Sequence, residues 1–160
     1  MRYRKIAASS ALVLSVTYIF SGCGGKEEQK TELYDYKTSY IGDNTKTANI
    51  AGGLIYPEGM KYDHIEIHSD AEPYGLTVYL KNESTADKDD LFNNAVITFA
   101  LIDNLDILEY RDISENTDIF NFERDEADNI LSENGNKTCA EIGADRESFY
   151  GYISGLEEYK

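Results

Sequence analysis

The alternation of apolar and polar positions predicts a β-hairpin near the middle of the chain. Ile65 and Ile67 alternate with polar residues over positions 64–68, and a second alternation occupies residues 76–81. A period of two places successive side chains on opposite faces of a strand. The turn-forming sequence Pro73-Tyr74-Gly75 separates the two runs. We therefore expect two antiparallel strands with one buried face and one solvated face.

A helical period follows the hairpin. Apolar residues recur at three- and four-residue spacing from Leu91 to Ile102. Ser84, Thr85 and Asp87 precede this segment as capping candidates, and acidic residues stand in its first turn, where negative charge suits the helix dipole. The pattern predicts a helix over residues 88–102.

The remaining elements are shorter. Two helices are predicted at residues 43–53, where a Gly-Gly pair ends the helix, and at residues 123–131, and Asp145 caps a last helix. Two strands are predicted at residues 105–110 and 118–122. Paired strands that are separated by helices favour an α+β fold. We expect an antiparallel sheet of about four strands, arranged as two hairpin-like pairs and covered on one face by helices.

The beginning of the chain has a different pattern. Three cations in residues 2–5 precede an uncharged stretch over residues 6–20, and Ser21, Gly22 and Cys23 follow. This order is typical of a signal peptide, and the stretch is shorter than the about 18–20 apolar residues that a membrane-spanning helix needs. The segment after Cys23 contains no large apolar side chain before Leu33 and predicts a flexible tether. The sequence thus divides into a signal peptide at residues 1–22, a tether at residues 23–32 and one α+β domain at residues 33–160.

Residues 20–23 (FSGC) resemble the lipobox of bacterial lipoproteins. The resemblance implies that the Cys23 thiol carries diacylglycerol, with acyl chains such as palmitate, and that the mature protein is anchored to the extracytoplasmic face of the cell membrane. Each buried methylene contributes about 0.8 kcal/mol of membrane affinity, so two or three acyl chains give a stable anchor. Cys139 is then expected to be a half-buried apolar filler and not a nucleophile. Without lipidation, a disulfide between Cys23 and Cys139 is the competing possibility.

Acidic residues dominate the charge of the chain. It contains 15 Lys and Arg against 30 Asp and Glu. Residues 1–22 hold three of the cations and no acid, so the mature chain has a formal charge of 12 − 30 = −18. Such a chain is repelled by phosphate groups, which excludes nucleic-acid binding. The same repulsion from anionic lipid means that membrane contact is expected to come from the lipid on Cys23.

Two segments imitate metal sites in their spacing. His64, Glu66 and His68 share one strand face, but strand geometry separates the two histidines by about 13 Å, too far to bind one ion. Residues 112–123 imitate a calcium loop, but Thr117 replaces the glycine of the sharp turn and the flanking segments are predicted strands. We therefore predict no metal site and no cofactor.

The sequence also contains no recognisable catalytic signature. It has no Gly-x-Ser-x-Gly, phosphate-loop, dinucleotide-binding or His-Glu-x-x-His motif. The expected protein is therefore a non-enzymatic binding or sensing module. An envelope hydrolase or other enzyme with an unidentified acidic site is one alternative, and a passive structural envelope lipoprotein is another.

Tyrosine is unusually frequent, with 13 in the chain. Tyr34, Tyr36 and Tyr40 stand where the tether meets the domain, and Tyr74 stands in the hairpin turn. Tyrosine combines a large apolar ring with a polar tip, which suits a surface that binds a protein or small-molecule partner in the cell envelope. The alternative is that these rings pack the first residues of the domain onto its core.

Four segments carry a resemblance to a known family. They are residues 33–37 (LYDYK), 40–44 (YIGDN), 72–76 (EPYGL) and 100–104 (ALIDN). Together they resemble the bacterial domain-of-unknown-function family 4825, and the likeness covers about residues 33–157. The family occurs in small Gram-positive lipoproteins and as an outward-facing part of membrane sensor proteins. The resemblance implies an extracytoplasmic binding or sensing role and assigns no catalytic residue.

Overall fold

The computed structural model of the protein describes residues 33–115 and 117–159. The signal peptide, the tether and Cys23 that the sequence predicts lie outside these residues. The helices are α1 (Asn44–Gly53), α2 (Lys88–Leu101), α3 (Arg124–Glu133), α4 (Cys139–Ile142) and α5 (Arg146–Ile153). The strands are β1 (Met60–His68), β2 (Gly75–Asn82), β3 (Ile107–Asp112) and β4 (Thr117–Glu123), and a 3-10 turn spans Glu157–Tyr159.

The four strands form one sheet in the order β1-β2-β3-β4. The pairs β1/β2 and β3/β4 are antiparallel, which confirms the predicted α+β fold with two hairpin-like pairs. The central pair β2/β3 is parallel, with Val78 opposite Tyr110, so the sheet is mostly but not wholly antiparallel, unlike the antiparallel sheet that the sequence predicted. The reason is the connection: α2 carries the chain back to the end of the sheet where β2 starts, so β3 runs in the same direction as β2.

Helix α2 lies at the centre of the hydrophobic core. All residues from Asn94 to Leu101 are buried, because the sheet covers one side of α2 and α3, α4 and α5 cover another. A helix that is apolar around its whole circumference is expected to be buried in this way. The sheet contributes Val78, Leu108 and Tyr110 to the same core. The other sheet face carries mostly charged and polar side chains, as the alternating pattern predicted.

Capping residues explain why the helices start where they do. The Asp43 side chain accepts a hydrogen bond from the Lys46 amide, and the Asp145 side chain accepts one from the Ser148 amide. Asp87 forms a capping box at the start of α2. The predicted helix starts at these positions are confirmed, since an N-cap acid satisfies amides that have no partner within the helix.

Two further details differ from the sequence-based expectations. Strand β3 begins at Ile107 and not at residue 105. Leu105 is buried, but it lies in the loop before the strand. Helix α4, with its cap at Thr138, was not expected because it has only four residues. No helix in residues 33–115 and 117–159 has the length and apolarity needed to span a bilayer.

Candidate binding surface

Residues 33–43, called here the first segment, lie along the loop of residues 102–106 that joins α2 to β3. Thr38 forms a parallel β-bridge with Ile102. The Thr38 amide donates to the Leu101 carbonyl at 2.9 Å, and the Asp103 amide donates to the Thr38 carbonyl at 3.0 Å. The Lys37 ammonium donates to the Ala100 carbonyl at 3.1 Å. Backbone pairing therefore fixes the first segment to the end of α2.

Two side chains of this loop hold backbone groups on either side of it. Asn104 Oδ1 accepts from the Ile41 amide at 2.7 Å, and Asp106 Oδ2 accepts from the Tyr74 amide at 2.8 Å. The Tyr74 carbonyl accepts in return from the Asp106 amide at 2.9 Å. The 102–106 loop thus brings together the first segment and the hairpin turn, which are far apart in the sequence. The four segments that resemble the family meet at this loop.

Tyr34 is part of the packing between the first segment and the C-terminal helices. Its ring lies 5.4 Å from the Phe149 ring, and its hydroxyl donates to the Gly143 carbonyl at 3.2 Å. The Arg146 guanidinium lies 5.2 Å from the centre of the Tyr34 ring. Partial burial and the Asp145 carboxylate raise the pKa of Tyr34. Most of this side chain is therefore committed to contacts within the domain.

Tyr40 has a different position from Tyr34. It is 51% exposed, and its ring lies over Gly42, where a Cβ atom would come within 2.3 Å of the ring. The Thr38 hydroxyl donates to the Tyr40 carbonyl at 3.2 Å, and the Asp43 amide donates to the same carbonyl at 3.1 Å. Tyr40 is consequently an exposed aromatic side chain on a backbone that is held in place.

Tyr36 and Tyr74 are both half-buried. Tyr36 and Tyr62 line a depression of about 500 Å³ between the first segment, α1 and β1. Burial, with the neighbouring Asp63 carboxylate, raises the pKa of Tyr62. Tyr74 packs against the core and is fixed through its backbone by Asp106. Of the four predicted surface residues, Tyr40 presents its ring to solvent most fully.

The three residues His64, Glu66 and His68 lie on the open face of the sheet, as predicted, but their side chains contact residues of β2 and not one another. The His64 ring stacks on Tyr79 at 4.3 Å, and the Tyr79 hydroxyl donates to Glu66 Oε2 at 2.9 Å. His68 Nε2 lies 3.0 Å from Thr77 Oγ1. Within residues 33–115 and 117–159, no three His, Cys, Asp or Glu side chains are arranged to hold a metal ion.

The ion pairs on this face stabilise the charged forms of the Asp63 and Arg111 side chains. A hydrogen bond from His64, with Lys81 nearby, holds the pKa of Asp63 below its usual value. The Arg111 guanidinium lies 2.7 Å from Asp118 Oδ1, which raises the pKa of Arg111. These ion pairs hold charged side chains to one another across the solvated face of the sheet.

The segment that imitates a calcium loop folds as the β3–β4 hairpin. Asp112 ends β3, and its side chain accepts from the Ser114 amide at 2.7 Å. Asp118 and Glu123 belong to β4, where Asp118 pairs with Arg111. The acids of this segment therefore lie along strands and not around one central point.

Cys139 is fully buried, where the sequence analysis expected a half-buried apolar filler. Its amide donates to Asp128 Oδ1 at 2.6 Å. Burial, followed by the hydrogen bond and charge of Asp128, strongly raises the pKa of the thiol. Since the thiolate is the nucleophilic form, this cysteine is chemically inert in the folded protein.

The sequence analysis did not identify Asn104 and Asp106 as residues that organise this surface. A signal was present only for Asn104, which stands in the predicted loop after the apolar helix, whereas Asp106 fell within the strand predicted over residues 105–110. Asn and Asp in loops commonly bind backbone groups of neighbouring segments. The sequence did not predict which backbone groups they bind, because their partners Ile41 and Tyr74 are distant along the chain.

Comparison with known proteins supports the resemblance that the motifs suggested. The family model described as a domain of unknown function (DUF4825) matches residues 33–126. The match includes the first segment, the whole sheet, α2 and the 102–106 loop. Comparison with curated proteins and with solved structures found no match. Because the family model covers more than half of the chain, the protein belongs to the DUF4825 family.

Proposed function

We propose that the protein is an extracytoplasmic, lipid-anchored binding or sensing module that contacts a partner in the cell envelope through the surface around Tyr40. The observation that carries the proposal is the exposed Tyr40 ring, held over Gly42 on a fixed backbone. A large aromatic side chain gains apolar contact on binding and loses little conformational entropy when it is already ordered. Such side chains are enriched among the residues that dominate protein interfaces.

The proposed anchor places this surface near the membrane. Ten residues, 23–32, separate the first segment from residue 22 in the proposed processing. Whatever their conformation, ten residues span at most about 33–36 Å. A partner that meets Tyr40 is therefore a membrane protein or another molecule close to the lipid surface.

Several observations favour binding over catalysis. The pKa values of the carboxyl groups of Asp63, Glu141 and Asp145 are lowered, each chiefly by hydrogen bonds that favour the ionised form. A general acid needs the opposite shift at neutral pH. Cys139 is buried with a raised pKa. These groups serve as structural partners, and the proposed protein acts without chemical turnover.

The proposal is tested by site-specific photocrosslinking in intact cells. A photoreactive phenylalanine analogue replaces Tyr40 in one variant and the exposed Glu115, in the β3–β4 turn, in a matched control. A defined adduct is expected at position 40 and not at position 115. Equal adducts at both positions, or none at position 40, would contradict a Tyr40-centred surface and favour a passive envelope protein.

The anchor is tested separately. Replacing Cys23 with Ala is expected to move the protein from the membrane fraction to the soluble extracytoplasmic fraction. Mass spectrometry of the wild-type protein is expected to find an N-terminal diacylglyceryl cysteine. An unmodified chain that retains residues 1–22 in the cytosol would overturn the localisation.

A further inference from the structure

A groove runs along the helical side of the molecule, away from the sheet. It consists of two adjoining depressions of about 370 and 440 Å³, which share Asn136, Gly151 and Tyr152 in their linings. Volumes of about 300–1,000 Å³ are typical of ligand-binding clefts. We call this feature the helical groove and define it by Phe92, Ile130, Asn136, Gly151, Tyr152 and Leu156.

The helical groove is lined by apolar side chains that alternate with polar ones, among them Asn134 and Asn136. Ile130 is 37% exposed and is, with Tyr40, one of two large hydrophobic side chains classed as exposed in the described part of the chain. Phe92 and Leu156 are half-buried against the core. The Tyr152 hydroxyl donates to Asn93 Oδ1 at 3.0 Å, which fixes the ring in the groove wall. An occupant can therefore bury apolar side chains on a surface that needs little reorganisation.

Both ends of the helical groove are acidic. Asp145 and Glu147 line the larger depression. At the other end, Asp89 and Glu126 line a smaller depression that shares Phe92 and Ile130 with the groove. One lysine also lines each of these two ends.

Two lysines are close enough to offset these acids. Lys88 lies 3.3 Å from Glu126 and 5.0 Å from the centre of the Phe122 ring. Lys137 donates to the Ser148 hydroxyl at 3.1 Å. The carboxylates at the two ends outnumber these cations, and the whole chain has a formal charge of −15. Charge complementarity therefore selects a cationic occupant.

We propose that the helical groove binds a basic amphipathic segment of a partner protein. Apolar side chains of that segment rest on Phe92, Ile130 and Leu156, and its Lys or Arg side chains face the acidic ends. This arrangement follows the general mode in which an amphipathic helix lies in an apolar groove. The groove is distinct from the Tyr40 surface, and most of its residues lie beyond the family match at 33–126.

Gly151 provides a test that separates binding from folding. A Cβ atom at this position in α5 meets no heavy atom within 4 Å. Replacing glycine inside a helix with a better helix former also favours folding. Gly151→Arg therefore fills the groove with a long cationic side chain while leaving the fold intact. Gly151→Ala is the matched control, because it makes the same backbone change without filling the groove.

The experiment uses the full chain in phosphatidylcholine nanodiscs, with empty nanodiscs as the blank. The probe is a fluorescein-labelled 14-residue helix of Leu and Lys, and a second peptide carries Glu in place of every Lys. The Lys peptide is expected to bind the wild type and Gly151→Ala equally and to bind Gly151→Arg at least about tenfold more weakly. Ile130→Ser is expected to weaken binding, and high salt is expected to do the same.

Three outcomes would overturn the proposal. Equal binding of the Glu peptide would show that charge does not select the occupant. Unchanged binding of the Lys peptide to Gly151→Arg, with an unchanged or higher melting temperature, would place the peptide elsewhere. Binding of an N-acetylglucosamine oligomer that Gly151→Arg abolishes, with no Lys-peptide binding, would assign the groove to a glycan. Loss of the photocrosslink at position 40 would leave this result unaffected, so the two proposals fail independently.

Discussion

Replacing Arg124 with Ala is expected to destabilise the domain more than any other single loss of charge in the C-terminal part of the structure. Arg124 Nε donates to the Leu105 carbonyl at 2.7 Å, and Nη2 donates to the carbonyls of Phe99 at 3.0 Å and Ile102 at 2.7 Å. Helix α2 has no basic residue in its own last turn. Arg124 therefore supplies the cation and the donors that the C-terminal end of a helix favours.

The magnitude follows from the number of bonds and their exposure. A hydrogen bond to a charged group contributes about 1.5–3 kcal/mol, so three such bonds have an upper limit of about 4.5–9 kcal/mol. Arg124 is only half-buried, and water can replace part of what the guanidinium provides. We expect a loss of about 3 kcal/mol in the free energy of unfolding for Arg124→Ala. Arg124→Lys keeps the charge but loses the forked donor geometry, and a loss of about 1–2 kcal/mol is expected.

Urea unfolding followed by far-ultraviolet circular dichroism measures these changes. The control is Arg146→Ala, because Arg146 is half-exposed and pairs with the equally exposed Asp35. An exposed pair contributes about 0–1 kcal/mol, and the cation–π contact of Arg146 with the Tyr34 ring contributes about 0.5–1 kcal/mol, so this variant is expected to lose clearly less stability than Arg124→Ala. If Arg124→Ala were no less stable than Arg146→Ala, the end of α2 would not depend on Arg124 and the reasoning would be wrong.

Three further outcomes are expected from the packing. Gly143→Ala is expected to cost about 2–3 kcal/mol of stability in thermal unfolding, because the new Cβ would lie 1.9 Å from the Ala100 carbonyl oxygen; an unchanged melting temperature would refute that contact. Tyr34→Ala is expected to cost about 2 kcal/mol and Tyr40→Ala less than about 0.5 kcal/mol in the same assay, and the reverse order would exchange their packing and surface roles. Maleimide is expected to leave Cys139 unlabelled in the native protein and to label it in urea, because burial raises the pKa of the thiol and shields it; rapid native labelling at this position would contradict its burial.

The helices and strands that the sequence predicted are those whose sequence signals lie within a few residues of one another. The alternation at residues 64–68 and 76–81 predicted β1 and β2, since a half-buried strand needs a period of two. The acids at positions 43, 87 and 145 predicted the helix starts, since an N-cap satisfies amides only two or three residues away. The α+β class followed from the order of these elements.

The local sequence did not predict which of the four tyrosines pack within the domain and which face solvent. All four belong to similar local patterns, yet Tyr34 packs on Phe149 and donates to Gly143, whereas Tyr40 faces solvent. The partners of Tyr34 are more than a hundred positions away along the chain. A tyrosine is equally suited to either environment, so only the arrangement of its distant neighbours decides between them.

The periodic strands, the capped helices, the excess of negative charge and the segments that carry the family resemblance could all be predicted from local residue patterns. Each of these depends on residue chemistry or on contacts between close neighbours. The tertiary structure decided the parallel pairing of β2 with β3, the convergence of distant segments on the 102–106 loop and the groove beside α2. These features depend on how α2 packs between the sheet and the C-terminal helices, and that packing joins residues whose separation leaves no local pattern.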